Sequence, residues 1–522
     1  MYFKILYVTA WARILSSKNM QKWESETIEV LGIKAEILMI KACQAFIRTL
    51  QDLKILRPDM KVAILAGPGS NGGDGIHLFK MLNKMLFFCN LYYFGNQHST
   101  NYNNIYVKAL QEYPDFIREF PDFNHNHPFP STLNLDKYDL IIDALFGIGL
   151  SRPLNDHFKT LVESLTDFSN IISVDMPSGM DDQTICTNTC VQANQTISFQ
   201  RPKFSQLLCE NAKFVGALSI VDIGLVDDFE SSLEKSNLYW IRMKEASSLL
   251  KLRLSHSHKG TFGHVLMVAG NKQSPGAAIL SALGAFKAGC GKLTFVTHLN
   301  WSSTLVTSVP EAQLYIIDTD NVDEISEIPI DSTTSYSYAI GPGIGQSEYT
   351  SHALRIFLES YDQPVVLDAD ALNLLSEMSE SFDLIPALSI LTPHVKEFDC
   401  LFGAHKTSLE RFETQKLHSK KYNLIIVLKG RYTSISDPNG HLYFNSSGNP
   451  GMSCGGSGDI LTGIIVSLLA QGYSSLESAI LGVFTHGLAG DLAKEELGEH
   501  GMMSSDIIRF LPYAFKKLVQ NN

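Results

Sequence analysis

Short apolar runs that stop at a glycine or a carboxylate and pass into helical periodicity recur along this chain, and that recurrence confines it to parallel α/β sheets. Lys61-Val-Ala-Ile-Leu-Ala66 runs into Gly67-Pro-Gly-Ser-Asn-Gly-Gly-Asp-Gly75 and then an apolar helix. Tyr138-Asp-Leu-Ile-Ile-Asp143 and Ile171-Ile-Ser-Val-Asp175 repeat the pattern, each ending in a carboxylate. Parallel strands present functional groups at their carboxyl ends, so Asn71, Asp74, Asp143, Asp175 and Ser178 are predicted along one crevice of a doubly wound sheet. Thr196-Ile-Ser-Phe and Ala217-Leu-Ser-Ile-Val are expected to close that sheet, and residues 20–50 read as a helical pair broken at Gly32.

At 522 residues the chain exceeds one ordinary core, which stops growing at roughly 250–300 residues, so two domains are expected. We place them at residues 14–235 and 240–520. Around residues 225–243 the pattern turns acidic and aperiodic, as a linker would. It then restarts with Phe262-Gly-His-Val-Leu-Met-Val-Ala-Gly270, Lys292-Leu-Thr-Phe-Val-Thr and Leu424-Ile-Ile-Val-Leu-Lys-Gly430 as strands. Gly276-Ala-Ala-Ile-Leu-Ser-Ala-Leu-Gly-Ala-Phe reads as a closely packed small-residue helix. Asp368, Asp370, His394 and Lys429 fall at strand ends, where ligand binding and turn formation are both open readings.

The densest chemistry lies in Gly448-Asn-Pro-Gly-Met-Ser-Cys-Gly-Gly-Ser-Gly-Asp459, just ahead of an apolar helical run. Gly455, Gly456 and Gly458 aim unpaired N–H groups and the positive end of the helix dipole at one point, which suits phosphate. Asp459 beside that point repels phosphate unless it takes a proton from an attacking hydroxyl, so it reads as a base; its other reading is a helix cap. Gly67, Gly69 and Gly72 also satisfy G-x-G-x-x-G, but the acidic residue expected about 20 positions on is missing, so a plain nicotinamide dehydrogenase fits poorly.

A net charge of -12 argues against nucleic acid or an anionic membrane as the main partner. No apolar run reaches the roughly 18–20 residues of a membrane span. Residues 1–12 imitate a short signal peptide, with Lys4 and an Ala-x-Ala ending; we read them as an extension or first strand. The 8 cysteines show neither a disulfide framework nor paired C-x-x-C spacing, which points to a reducing, cytoplasmic setting without structural zinc.

From about residue 14 to 512 these motifs resemble the bifunctional NAD(P)H-hydrate repair family. Asn71-Gly-Gly-Asp-Gly75, Asp143-Ala-Leu-Phe-Gly-Ile-Gly-Leu150 and Val174-Asp-Met-Pro-Ser-Gly179 are similar to its epimerase domain, a Rossmann-like doubly wound sheet. His258-Lys-Gly-Thr-Phe-Gly-His264, Gly341-Pro-Gly-Ile-Gly345, Leu367-Asp-Ala-Asp-Ala-Leu-Asn373, Thr392-Pro-His394, Lys429-Gly430, the 448–459 loop and His486-Gly-Leu-Ala-Gly-Asp491 resemble its dehydratase domain, a ribokinase-like α/β sandwich.

The resemblance implies the hydrates NADHX and NADPHX as substrates, with water added across the C5–C6 bond of the nicotinamide ring. The first half would exchange their R and S forms at C6, using K+. The second would dehydrate the S form with ADP or ATP and Mg2+, ADP being the usual donor of the fused family. It implies Asp459 and Asp175 as catalytic residues, and Asn71, Asp143 and Ser178 as the K+ site. Substrate would meet Ser70, Asn71, Gly72, Gly73, Asp74, Asp175 and the turn Gly147, Ile148, Gly149, Leu150, Ser151, Arg152, Pro153 in the first half. In the second it would meet Ala277, Gly343, His394 and Asp459, with Lys429, Gly430, Gly455, Gly456 and Gly458 at the nucleotide. A homo-oligomer, tetrameric as in other ribokinase-like domains of this type, is implied as well.

The chain departs from the family pattern at Ile40-Lys-Ala-Cys43, where an acidic residue and a glycine are usual, and at Ser70, Ile185, Lys396 and Cys454. Those departures keep two other readings open: a dehydratase whose first domain only binds, and a ribokinase-like small-molecule kinase.

Overall fold

The computed structural model describes residues 11–94, 103–120, 134–150, 152–227, 233, 236–317, 324–331, 335–378 and 381–521. Residues 1–10 of the leader, Ser151 and most of the expected linker at 228–235 lie outside them. The chain forms two compact units, Arg13–Ser236 and Asn237–Asn522, the second joined by Trp11 and Ala12.

In the first unit β1 (Lys61–Ala66), β2 (Phe88–Tyr93), β3 (Ile117–Glu119), β4 (Leu140–Ala144), β5 (Ile171–Val174), β6 (Gln195–Phe199) and β7 (Ala217–Val221) make one parallel sheet in the order 3-2-1-4-5-6-7. Val62 and Ile64 of β1 enter the core on one face, while Ala63 and Leu65 enter the core on the other. Burial on both faces explains why these strands read as unbroken apolar runs. Strand order reverses between β1 and β4, and a crevice opens at the carboxyl ends there.

The helices Ser17–Leu31 and Ala35–Asp52 follow the periodicity and part where Gly32 takes φ 59°. The loop after β1 is shorter than its glycines suggest. Helix Ser70–Lys84 begins directly after Gly69, so Asn71, Gly72, Gly73 and Asp74 form its first turn. A Cβ on Gly72 would stand 1.8 Å from the carbonyl oxygen of Gly67, so glycine is what lets the helix start this close to the strand.

The second unit is built on a ten-stranded sheet: β8 (Leu238–Ile241), β9 (His264–Val268), β10 (Lys292–His298), β11 (Gln313–Ile317), β12 (Tyr336–Ile340), β13 (Val366–Leu367), β14 (Ile390–Leu391), β15 (Ile425–Leu428), β16 (Ser434–Ser436) and β17 (Leu442–Asn445). Their order is 11-10-9-12-13-14-15-16-17-8, and β16 runs antiparallel to both neighbours. The reversal falls between β9 and β12.

The linker read from the sequence is too long at its carboxyl end. Leu238–Ile241 is a strand that pairs with β17 and buries Trp240 and Ile241; the acidic stretch ahead of it masks a run of only four residues. Ala12 accepts the Trp240 N–H at 2.7 Å, and Trp11 packs edge-on against Tyr443 at 5.5 Å, so the amino-terminal segment completes this edge.

Helix Ser457–Ala470 is buried from Ile460 to Leu468 and crosses helix Pro275–Ala288 at backbone contact. A Cβ on Gly463 would lie 1.9 Å from the Ser281 carbonyl oxygen, and one on Gly284 2.7 Å from that of Ile460.

Candidate active sites

In the first unit a cavity of about 470 Å³ opens at the β1/β4 crevice. Ser70, Asn71, Asp74, Asp175 and residues 147–150 line it. Gly72 and Gly73 are packed inside the helix, and the exposed Arg152 and Pro153 are not part of the wall.

Asp143 and Ser178 are fully buried and do not line the cavity. Ser178 donates to Asp143 from Oγ at 2.6 Å and from N at 2.9 Å, joined by Ser173 Oγ at 2.8 Å and Leu145 N at 3.3 Å. Burial pushes the Asp143 carboxyl above the ordinary range against those hydrogen bonds. The Asn71 Nδ2 is buried without a partner. Among the described residues no group of three or more His, Cys, Asp or Glu is placed to hold a metal ion. The buried Asp143 carboxylate takes only neutral donors, so its charge has no cationic partner among the described residues.

Asp175 leaves β5 with φ 63°, a conformation that costs a non-glycine residue about 1–3 kcal/mol. Its surroundings hold it there. Oδ1 accepts from the Lys203 ammonium, from Ser198 Oγ at 3.2 Å and from Phe199 N at 2.9 Å, and its carbonyl accepts from Gln206 Nε2 at 2.7 Å. The Asp74 carboxyl is held well above the ordinary range by burial, then by the charges of Asp175 and Glu24. Cys43 Sγ donates to the Asp74 carbonyl at 3.3 Å, so the departure at that position gives a thiol packed on the site.

Sequence reasoning missed two members of this site. Glu24 lines the cavity from helix Ser17–Leu31, and Lys203 forms a buried ion pair with Asp175. Lys203 had no signal beyond its place just after the end of β6, and Glu24 none beyond its place beside the buried Trp23.

In the second unit the strand ends converge on the amino end of helix Ser457–Ala470. Gly270 N donates to Pro342 at 2.7 Å and Gly341 N to Val268 at 3.1 Å, which draws the loops after β9 and β12 together. Gly343 has φ 65°, and a Cβ on it would stand 3.1 Å from that of Ala277, so these two predicted residues are neighbours.

Asp368 is 1% exposed and accepts from Lys429 Nζ at 2.8 Å and from Thr462 Oγ1 at 2.6 Å. Lys429 also stands 3.9 Å from Glu397, which sequence reasoning did not single out. Burial works to discharge Lys429, but Asp368, Glu397 and Asp459 outweigh it and hold its ammonium above the ordinary range. Asp459, in the first turn of the helix, is raised to about 6 by burial and then by Asp368, with Lys429 opposing.

Gly456 precedes that helix with φ 91°, and no side chain caps it, so its first-turn N–H groups face outward as an anion site. A Cβ on Gly458 would approach Lys429 Nζ at 3.4 Å, which places the ammonium at the same mouth. The loop is fastened at both ends. Gly448 N and Asn449 Nδ2 each donate to Asp491 at 2.9 Å, and Ser504 Oγ donates to Gly455 at 2.7 Å with Cys454 Sγ 3.2 Å away. His486 Nε2 lies 3.3 Å from Ser457 Oγ, and burial lowers its pKa to about 4, so it is neutral there.

His394 starts helix Val395–Phe402: its Nδ1 accepts from Glu397 N at 3.1 Å, and its own N–H donates to Glu397 Oε2 at 2.8 Å. The ring stays exposed and next to Lys429 in a parallel bridge, while Gly430 is exposed beyond it. His394 is thus a helix cap whose ring stays exposed, with Nε2 3.3 Å from Glu397 Oε1.

Compared with known proteins, residues 265–513 match the NAD(P)H-hydrate dehydratase family and residues 35–205 the YjeF-related protein N-terminus family. The Bifunctional NAD(P)H-hydrate repair enzyme Nnr of Thermofilum pendens is 31% identical over 95% of this chain and 94% of its own. The enzyme of that name from Coxiella burnetii is 32% identical over 95% of this chain and 98% of its own. Among solved structures, the ADP/ATP-dependent NAD(P)H-hydrate dehydratase of Bacillus subtilis is 31% identical and covers 53% of this chain and 97% of its own, with a TM-score of 0.48.

Proposed function

The chain belongs to the bifunctional NAD(P)H-hydrate repair enzymes, an epimerase domain joined to a ribokinase-like dehydratase domain, and from that premise we propose how its residues divide the work. In the second unit Asp459 takes the proton of the C6 hydroxyl of the S hydrate as that oxygen attacks the terminal phosphorus of ADP or ATP. The amides around Gly455, Gly456 and Gly458 hold the transferring phosphoryl group, and Lys429 offsets its charge. Loss of phosphate from C6 and of a proton from C5 then restores the C5=C6 double bond of NAD(P)H. Ala277, Gly343 and the exposed ring of His394 receive the hydrate, and Gly430 lies on the nucleotide side. Mg2+ would enter with the nucleotide and neutralise phosphate charge; the carboxylates of Asp368 and Glu397 are the hard donors within reach of that mouth.

In the first unit Asp175 moves protons at C6 during R/S exchange, with substrate against Ser70, Asp74 and residues 147–150. K+ at Asn71, Asp143 and Ser178 would supply the positive charge that the buried Asp143 lacks. The Asn71 amide, whose nitrogen has no partner, would be turned to offer its oxygen. Among the described residues no helix is long and apolar enough to cross a membrane. We place the protein in the cytoplasm as a homotetramer, which its native mass tests.

The observation that carries the reading is Asp459, in the first turn of an uncapped, glycine-led helix and beside the Lys429–Asp368 pair. Mixed NADH hydrates, Mg2+ and either ADP or ATP, followed at the NADH absorbance band, test it. NADH returns with the parent and not with Asp459→Asn. A stable phosphorylated product in place of free phosphate would make the enzyme a kinase.

A further inference from the structure

We propose that Glu24 is the general acid of the first site, delivering a proton to the hydroxyl on C6 of the hydrate; the proposal rests on the epimerase reading of that cavity. Three carboxyl groups line it: Glu24 from helix Ser17–Leu31, Asp74 from helix Ser70–Lys84, and Asp175 at the end of β5. They are not equivalent. Asp175 Oδ1 is committed to Lys203, Ser198 and Phe199, and Asp74 has Cys43 against it. Glu24 has no hydrogen-bond or ion-pair partner among the described residues, and Leu38, Ala42 and Ile223 share its cavity wall.

Asp74, Asp175 and Lys203 are the charged groups that face Glu24. Burial first and Asp175 second raise its pKa to about 7, with Lys203 opposing. A carboxyl in that state carries a proton at neutral pH and gives it up readily, which is what a general acid needs.

The chemistry follows from C6, which bears both the hydroxyl and the ring nitrogen N1. Glu24 gives its proton to the hydroxyl, the C6–O bond breaks, water departs, and the N1 electron pair closes a C6=N1 double bond. The cation so formed faces an ionised Glu24. Water then adds to the opposite face of C6 and passes its proton to Asp175 Oδ2, which has no partner among the described residues. Return of that proton to Glu24 through solvent closes the cycle, with no oxidant or reductant involved.

The test is R-to-S exchange above the uncatalysed background, followed by chromatography across pH, in the full chain and in Glu24→Gln and Glu24→Asp. Glu24→Gln is expected to lower kcat/KM about 100-fold without lowering the unfolding transition. It should also remove the alkaline limb that the parent shows near pH 7. Glu24→Asp should restore part of the rate with that limb displaced. Exchange by Glu24→Gln within about twofold of the parent, on the same pH profile, overturns the proposal. Absence of exchange in the parent overturns the underlying epimerase reading instead. Should Glu24→Gln fail to fold, the Asp variant decides: a displaced limb supports the proposal and an unmoved one overturns it.

Discussion

Asp459 answers to two opposed neighbours, since burial and Asp368 keep its proton on while Lys429 draws it off, and the balance falls at about pH 6. The acid limb of kcat/KM for dehydration is therefore expected near pH 6, and in Lys429→Met it should move up by about one pH unit or more; a stationary limb would assign the base elsewhere. The same balance sets a stability prediction. A carboxyl whose folded pKa lies above its unfolded 3.8 binds more protons in the native state between those values, so ionising it costs stability as pH rises through that window. Asp459→Asn should thus raise the melting temperature at pH 7 and have little effect near pH 3.5, where both states hold most of the proton; calorimetry at the two pH values checks this. Asp459 was legible in the sequence because the glycines that make its anion hole are its chain neighbours. Glu24, Lys203 and Glu397 were not, because each gains its meaning from a carboxylate or cavity wall far away in the chain.

Helices Pro275–Ala288 and Ser457–Ala470 meet through Gly284 and Gly463, and that contact holds the amino end of the second helix in place. Gly463→Ala puts a methyl group 1.9 Å from a backbone oxygen that cannot swing aside, so the helices must separate. The expected cost is about 1–3 kcal/mol, as for an overpacked core, together with a fall in dehydratase kcat larger than any change in R/S exchange. Denaturant unfolding and the two assays on one preparation measure both. Element types were readable because unbroken apolar strands and periodic helices differ in period. Boundaries were less so: the helix start at Ser70 depends on a close approach at Gly72, and β8 is too short for periodicity to mark.

Each unit carries its own carboxylates, so the two reactions should fail separately. Asp459→Asn is expected to end dehydration, by about 100-fold or more, and spare R/S exchange, while Asp175→Ala does the converse; joint loss in either variant would argue against two independent sites. Two units were foreseeable from length and from two runs of strand and helix signals, but the threading was not. Trp11 and Ala12 join Tyr443 and Trp240, so the first unit is spliced into the second along the chain. During synthesis Trp11 leaves the ribosome early and must wait, its indole uncovered, until Tyr443 has been made. The second unit is therefore the last to be completed, and a nascent chain stalled before that residue would offer chaperones an aromatic hook at one end and an unfinished sheet edge at the other.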